Sequence, residues 1–307
     1  VSMPRIPLGD AVEAGLQWLT DNAGGFFEAV SAVLLMAVNG IYTVLAAPVP
    51  WVLIAVFGLL IALATRSVAL TLFTVLAFAL VVGMNLWTQT LETLAVVVMA
   101  TFFSILVGVP LGVLAASSPR VSFAVRPVLD FMQTLPVFVY LVPSVFLFGI
   151  GVVPGVVATT VFAIPPAVRL TELGIRQVDE EVLEAARAFG SRPRQVLREV
   201  QLPLALPSIM AGVNQVIMLA LSMVVVAGLV GAKGLGGVVV NGVTQFDIGT
   251  AFEGGVAVVV LAIFLDRVTG ALGRGGGVQR WQTALRRLLG RRRRGGDREP
   301  ETVKAPA

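Results

Sequence analysis

Seven apolar runs set the terms on which this chain can fold: 51–64, 67–87, 94–116, 136–150, 153–168, 209–230 and 251–265. A bilayer core about 30 Å thick is crossed by about 20 mostly apolar helical residues, because a helix satisfies its own backbone hydrogen bonds where no water can. The runs predict an all-α polytopic membrane protein with about seven transmembrane helices. The first, fourth, fifth and seventh are short and need flanking residues to complete a crossing. Composition points the same way: 57% of the 307 residues are hydrophobic and 13% charged, which excludes an ordinary soluble globule.

Charge orients the runs. With the loops taken alternately, Arg66, Arg120, Arg126, the arginines of 169–199 and the basic residues from Arg267 to Lys304 fall on one side, with only Arg5 and Lys233 opposite. The positive-inside rule makes the first side cytoplasmic, the C-terminus included. Nine arginines crowd between Arg274 and Arg298, so the basic balance belongs to a tail and calls for no nucleic acid. Residues 26–47 fit two readings, an eighth span or an in-plane helix, because this apolar stretch carries Glu28 and Asn39 and ends at Pro48 and Pro50; the in-plane helix is the expectation. Asp10 and Glu13 interrupt the first residues, so no cleavable signal peptide is expected. The expected organisation is an extracytoplasmic tail with an interfacial helix at 1–50, a transmembrane domain at 51–270 with a cytoplasmic loop at about 169–207, and a basic cytoplasmic tail at 271–307.

Between the fifth and sixth runs the chain changes character. Residues 169–199 hold twelve charged side chains, against five in 51–168 and three in 200–265. Residues 178–189 have helical spacing, with Asp179, Glu180, Glu181 and Glu184 early and Arg187 late, as the helix dipole favours. Val182, Ala185, Ala186 and Phe189 form one narrow apolar face. Gly190 permits a left-handed turn that closes the helix, and Ser191 is expected to cap a second helix with Pro193 in its first turn. Leu202, Pro203 and Pro207 then lead back into the membrane. An ordinary solvated loop has the same charge density, so the spacing of its landmarks has to decide.

That spacing runs Glu184, Ala185, Ala186, three residues, Gly190, nine residues, Val200, one residue, Leu202 and Pro203. It resembles the EAA loop of ABC-type importer permeases, with Val200 at the customary isoleucine position. The stretches MQTLPVFVYLVPSVFLFGIG at 132–151, FAIPPAVRLTELGIRQV at 162–178 and IMAGVNQVIMLALSMVV at 209–225 are similar to the glycine betaine/proline betaine branch, and the likeness covers most of 51–270. The resemblance implies a type I importer permease of a bacterial cytoplasmic membrane, paired as a homodimer. It further implies an ATP-binding cassette subunit that binds ATP and Mg, an extracytoplasmic solute-binding protein, and a coupling element made of Glu184, Ala185, Ala186, Phe189, Gly190, Leu202 and Pro203. Choline, carnitine or another small solute is the alternative cargo.

The chain carries no engine of its own. No GxxxxGK[ST] string occurs; GAKGLGG at 231–237 is the nearest, lacks the hydroxyl, and falls in an outer loop expected to be flexible. Histidine and cysteine are both absent, which excludes imidazole and thiol catalysis and Cys/His zinc sites, so no cofactor is expected in this chain. An ion-coupled secondary transporter, the rival from another class, needs ionisable groups near the midplane. Glu92, Asp130, Glu172, Asp247 and Glu253 all fall at expected span ends or in loops.

The translocation path is less legible. Asn214, Met218 and Ser222 follow i, i+4, i+8 on the sixth run, and Thr93, Val97, Thr101 and Ser104 form a similar stripe on the third. Gln133, Phe138 and Tyr140 look family-like. Two readings stay open for all of these, lining of a passage or helix-to-helix hydrogen bonding. The tryptophans are scattered, so no aromatic cage for a quaternary ammonium is evident. In the tail, Trp281, Leu285, Leu288 and Leu289 share a helical face among arginines, which suits contact with anionic membrane lipids.

Overall fold

The computed structural model describes residues 7–275, which contain helices and no strand. In chain order these are α1 (Leu8–Ala46), α2 (Pro50–Thr65), α3 (Val68–Gly83), α4 (Trp87–Ser117), α5 (Pro119–Thr134), α6 (Val137–Phe148) and α7 (Val152–Arg176). There follow α8 (Glu180–Ala188), α9 (Pro193–Gln195), a π-helical turn (Val196–Gln201), α10 (Leu202–Leu229), α11 (Leu235–Thr244) and α12 (Ile248–Gly275). Of the basic tail expected at 271–307, residues 271–275 complete α12, and 276–307, with the expected lipid-facing helix, lie outside the described residues.

Local chemistry places most of the breaks. Arg66 takes a left-handed conformation with φ 53° to end α2, and the Ser67 hydroxyl caps α3 by accepting from the Leu70 N–H. Asn85, another left-handed residue, turns the chain into α4. Leu135 is held extended before Pro136, as a residue preceding proline prefers, and α5 and α6 meet there at 93°. Asp247 caps α12 through the Thr250 N–H and hydroxyl, which hold its carboxyl below the usual carboxylate range.

Among the described residues, five helical stretches are long and apolar enough to cross a bilayer: α1, α4, α7, the continuous run Pro193–Leu229, and α12. The bent pair α5–α6 is a broken span or a re-entrant loop. The seven expected runs therefore correspond to four full-length helices, the two 16-residue helices α2 and α3, and the 12-residue α6. Residues 26–47, expected in the membrane plane, belong to α1. Its Leu34 and Val38 bury against Ala95, Val96, Met99 and Ala100 of α4 and Val153 and Val156 of α7.

At the centre α4 packs on α7 and α7 on α10. Between helices in lipid, where burying apolar surface brings little, close packing depends on small side chains. Gly108 and Gly112, one turn apart on α4, supply that: a Cβ at Gly112 would stand 2.7 Å from the Val168 carbonyl oxygen of α7. On the far side Phe57, Phe78 and Phe264 meet with ring centroids 4.7–5.3 Å apart, tying α2, α3 and α12 together.

Candidate functional site

The charged segment between α7 and α10 folds as its local sequence dictates. The Asp179 carboxylate accepts from the Glu181 N–H at 3.1 Å and caps α8, with Glu180 and Glu181 in the first turn and Arg187 in the last. At the other end the Gly190 N–H reaches the Arg187 carbonyl and the Ser191 N–H the Ala186 carbonyl, a Schellman closure. It requires a left-handed residue between them, and Gly190 sits at φ 81°. Because this closure uses Ser191, the cap of the next helix moves on one residue: the Arg192 N–H donates to Gln195 Oε1, and Ser191 does not cap as expected.

Past Pro193 the helix continues unbroken into the span. Pro203 has no N–H to return to Glu199, and the backbone passes through a π-turn in which the Leu202 N–H reaches back five residues to Leu197. Val196 is buried, Leu202 half-buried and Pro203 exposed. No residue of α8 itself is buried. Glu184 and Ala185 are exposed, Ala186 is half-buried, and Phe189 is 91% exposed. Among the described residues, α8 packs on the π-turn, and its apolar face is left open.

Just above α8 the end of α7 is held by a group that sequence reading put at a span end or in a loop. Glu172 lies inside α7 with its side chain only 8% exposed. Its Oε1 accepts from Ser122 Oγ at 2.7 Å, Arg126 Nη2 at 3.2 Å and Arg176 Nε at 3.0 Å. Arg176 also donates to the Ala115 carbonyl at 3.0 Å, and Arg169 pairs with Asp130. Arg126, Asp130, Arg169, Glu172 and Arg176 line a cavity of about 340 Å³. The buried carboxylate thus joins α5 to α7, and Arg176 carries the link on to α4, two turns before α8 begins. The one local sign was the i, i+4 pair Glu172–Arg176; Ser122 and Arg126 are too distant in sequence to be read from it.

The residues singled out for the pathway separate. Asn214 donates to Asp266 Oδ1 at 2.9 Å and accepts from the Thr269 hydroxyl at 2.8 Å, so its amide ties α10 to α12. Ser222 is exposed and bonds back to the Met218 carbonyl, and Met218 is half-buried. Four-residue steps overshoot a helical turn by about 40°, so Asn214 and Ser222 stand about 80° apart. Gln133 and Phe138 are exposed, whereas the Tyr140 hydroxyl donates to the Met132 carbonyl and its ring meets Phe162. On α4 the stripe faces protein: Thr93 and Ser104 are buried, the first accepting from the Leu235 N–H and the second donating to the Thr160 carbonyl.

A family model described as "binding-protein-dependent transport system inner membrane component" matches residues 108–275. The chain belongs to that family. The matched region of this permease runs from the middle of α4 through α12 and takes in α8 and its glycine turn. The permease is 48% identical to the glycine betaine transport system permease protein OpuAB of Bacillus subtilis, over 87% of this chain and 94% of that protein. It is 47% identical to the glycine betaine/proline betaine transport system permease protein ProW of Escherichia coli, over 91% of this chain and 79% of that one. Among solved structures it is similar to a chain of the MetNI methionine ABC transporter in an inward-facing conformation, with TM-score 0.56 and 26% identity over 62% of this chain and 95% of that chain. The protein is therefore a multi-pass, all-α membrane permease of a binding-protein-dependent transport system.

Proposed function

We propose that this chain is the membrane-spanning, non-catalytic subunit of an ATP-driven importer whose cargo is a quaternary-ammonium compatible solute such as glycine betaine or proline betaine. The observation that carries the cargo class is identity near one half, along most of both chains, to two permeases named for glycine betaine. The working assembly is a permease homodimer, a separate ATP-binding cassette subunit holding ATP and Mg, and an extracytoplasmic protein that captures the solute and delivers it. Coupling runs through α8 and its turn: Glu184, Ala185, Ala186, Phe189 and Gly190 present the docking surface, and Leu202 and Pro203 anchor the return into the membrane. An exposed helix with an unpacked Phe189 supports this, since exposed aromatic surface in a polar segment marks a place where a partner packs. Gln133, Phe138, Met218 and Ser222 remain proposed contacts of the passage, and Asn214 a tie behind it.

Right-side-out vesicles holding the complete assembly, with ATP enclosed and the solute-binding protein outside, test the reading with a panel of radiolabelled betaines, choline, carnitine and proline. ATP-dependent accumulation of a betaine at the lowest KM is expected. Accumulation driven by an ion gradient without ATP would overturn it.

Orientation gives a second expected result. With the basic loops on the cytoplasmic side, a reporter enzyme active only in the cytoplasm works when fused after Arg274 and is silent when inserted beside Lys233. Activity at both positions would contradict the proposed arrangement of spans, in which 51–270 is the transmembrane domain, 271–307 a cytoplasmic tail and 1–50 begins outside.

A further inference from the structure

Between the short apolar helix α3 and the long apolar helix α12 lies a groove of about 760 Å³, with no charged or polar residue in its lining. Phe73, Leu76 and Leu80 of α3 and Phe252 and Val259 of α12 stand exposed along it. Ala77 and Gly255 also line it, and a Cβ placed on Gly255 would meet no atom within 4 Å, so the groove is open there. In a bilayer such a groove is filled by hydrocarbon, because water finds no hydrogen-bond partner in it and a void would forfeit the dispersion contacts of every side chain around it. The rims do not suit a second helix. Where helices of this chain approach closely, as at Gly108 and Gly112, small residues stand at the contact, whereas here bulky side chains project from both helices.

We propose that the groove holds one acyl chain of an anionic phospholipid of the cytoplasmic leaflet, with the phosphate at Arg267. Ile263 lines the groove, and Arg267 follows it by four residues, about 40° further round α12 and just past the end of the apolar run 251–265. Arg267 is 47% exposed, so its guanidinium can reach the headgroup layer while its stem lies along the helix. Its ion-pair partner among the described residues, Asp266, stands 3.8 Å away and already accepts from the Asn214 amide at 2.9 Å. The guanidinium therefore keeps donors for a phosphate, the anion its fork fits best beside a carboxylate. Length agrees with this placement. Half the bilayer core is about 15 Å, or about ten helical residues, so a chain entering beside Arg267 passes Ile263 and Val259 and approaches Gly255.

The site does not depend on the cargo; its leaflet rests on the orientation proposed above, which the reporter fusions test separately. The complete assembly is reconstituted in phosphatidylcholine vesicles with a trace of either phosphatidylglycerol or phosphatidylcholine carrying a photoactivatable diazirine near the end of one acyl chain, and the labelled peptides are mapped. Label on α3 between Phe73 and Leu80 and on α12 between Gly255 and Ile263 is expected to be about fivefold heavier from phosphatidylglycerol, the worth of one arginine beside an anionic headgroup. Arg267→Gln is expected to abolish that preference. Val259→Trp, which fills the groove midway, is expected to remove the label from both helices and leave the oligomeric state of the permease unchanged. Arg267 lies at the surface, so its variant carries the test even if Val259→Trp accumulates poorly. Equal labelling by the two lipids, or an undiminished preference in Arg267→Gln, overturns the site. So does a change of oligomeric state in Val259→Trp, which would make the groove a contact between subunits.

Discussion

Gly190→Val is expected to lower solute uptake at least tenfold while the permease still inserts and accumulates. A β-branched residue at φ 81° meets its own backbone, a penalty of roughly 2 kcal/mol, and that is enough to shift the local equilibrium away from the closed turn by more than tenfold. The neighbourhood adds nothing, since a Cβ at Gly190 meets no atom within 4 Å. The cost is therefore confined to the turn, which must open its Schellman bonds or rotate Phe189 and the end of α8. Gly190→Asn separates conformation from side-chain bulk, because asparagine tolerates the left-handed region and is expected to keep most of the uptake. Glu184→Lys acts on the same surface by placing a cation in the first half of a helix whose dipole favours anions there. Membrane abundance, retention of the ATPase on a tagged permease, and uptake are measured together. Normal uptake at normal abundance in Gly190→Val would end the coupling role of α8.

The turn could be read from sequence because everything that makes it is local. Acidic residues at one end, an arginine at the other and a glycine after the last apolar position are enough to start, orient and stop nine helical residues. The break of the fourth run was within reach for the same reason, since Pro136 forces Leu135 out of the helical region. What could not be read depends on chain segments far apart. The GAKGLGG segment looks flexible from its composition, and its order comes from a hydroxyl on Thr93, 142 residues away in sequence.

The pathway shows a second kind of limit. Asn214 and Ser222 lie on one stripe in a count of four-residue steps, yet the drift of the helix puts one against Asp266 and Thr269 and leaves the other open. Periodicity shows which residues can share a face; which neighbour covers that face is set by packing. In lipid the choice is harder still, because an apolar side chain is as comfortable against an acyl chain as against another helix, and hydropathy carries no sign of which it meets. Phe73 and Phe264 have the same apolar character, and the first is exposed while the second sits in the aromatic cluster with Phe57 and Phe78.

Glu172→Ala is expected to give the largest loss of stability of any single charge removal among the described residues. Its carboxylate is the common acceptor for Ser122, Arg126 and Arg176, and deleting it leaves two guanidiniums and a hydroxyl facing a gap. Removing one partner of a fully buried pair costs about 3–5 kcal/mol. Arg126 and Arg176 are 61% and 39% exposed, so water takes over part of the loss and a value of about 2–3 kcal/mol is expected. Glu172→Gln keeps an acceptor for Ser122 and is expected to lose less. Because α7 leads directly into α8, the same change loosens the frame that aims the proposed docking helix, so ATP hydrolysis per solute transported is expected to rise in whatever protein remains folded. Thermal unfolding in detergent and the ratio of hydrolysis to uptake in vesicles measure the two effects independently. Wild-type melting in Glu172→Ala would show that α4, α5 and α7 hold together through their small-residue packing alone, with the buried carboxylate along for another reason.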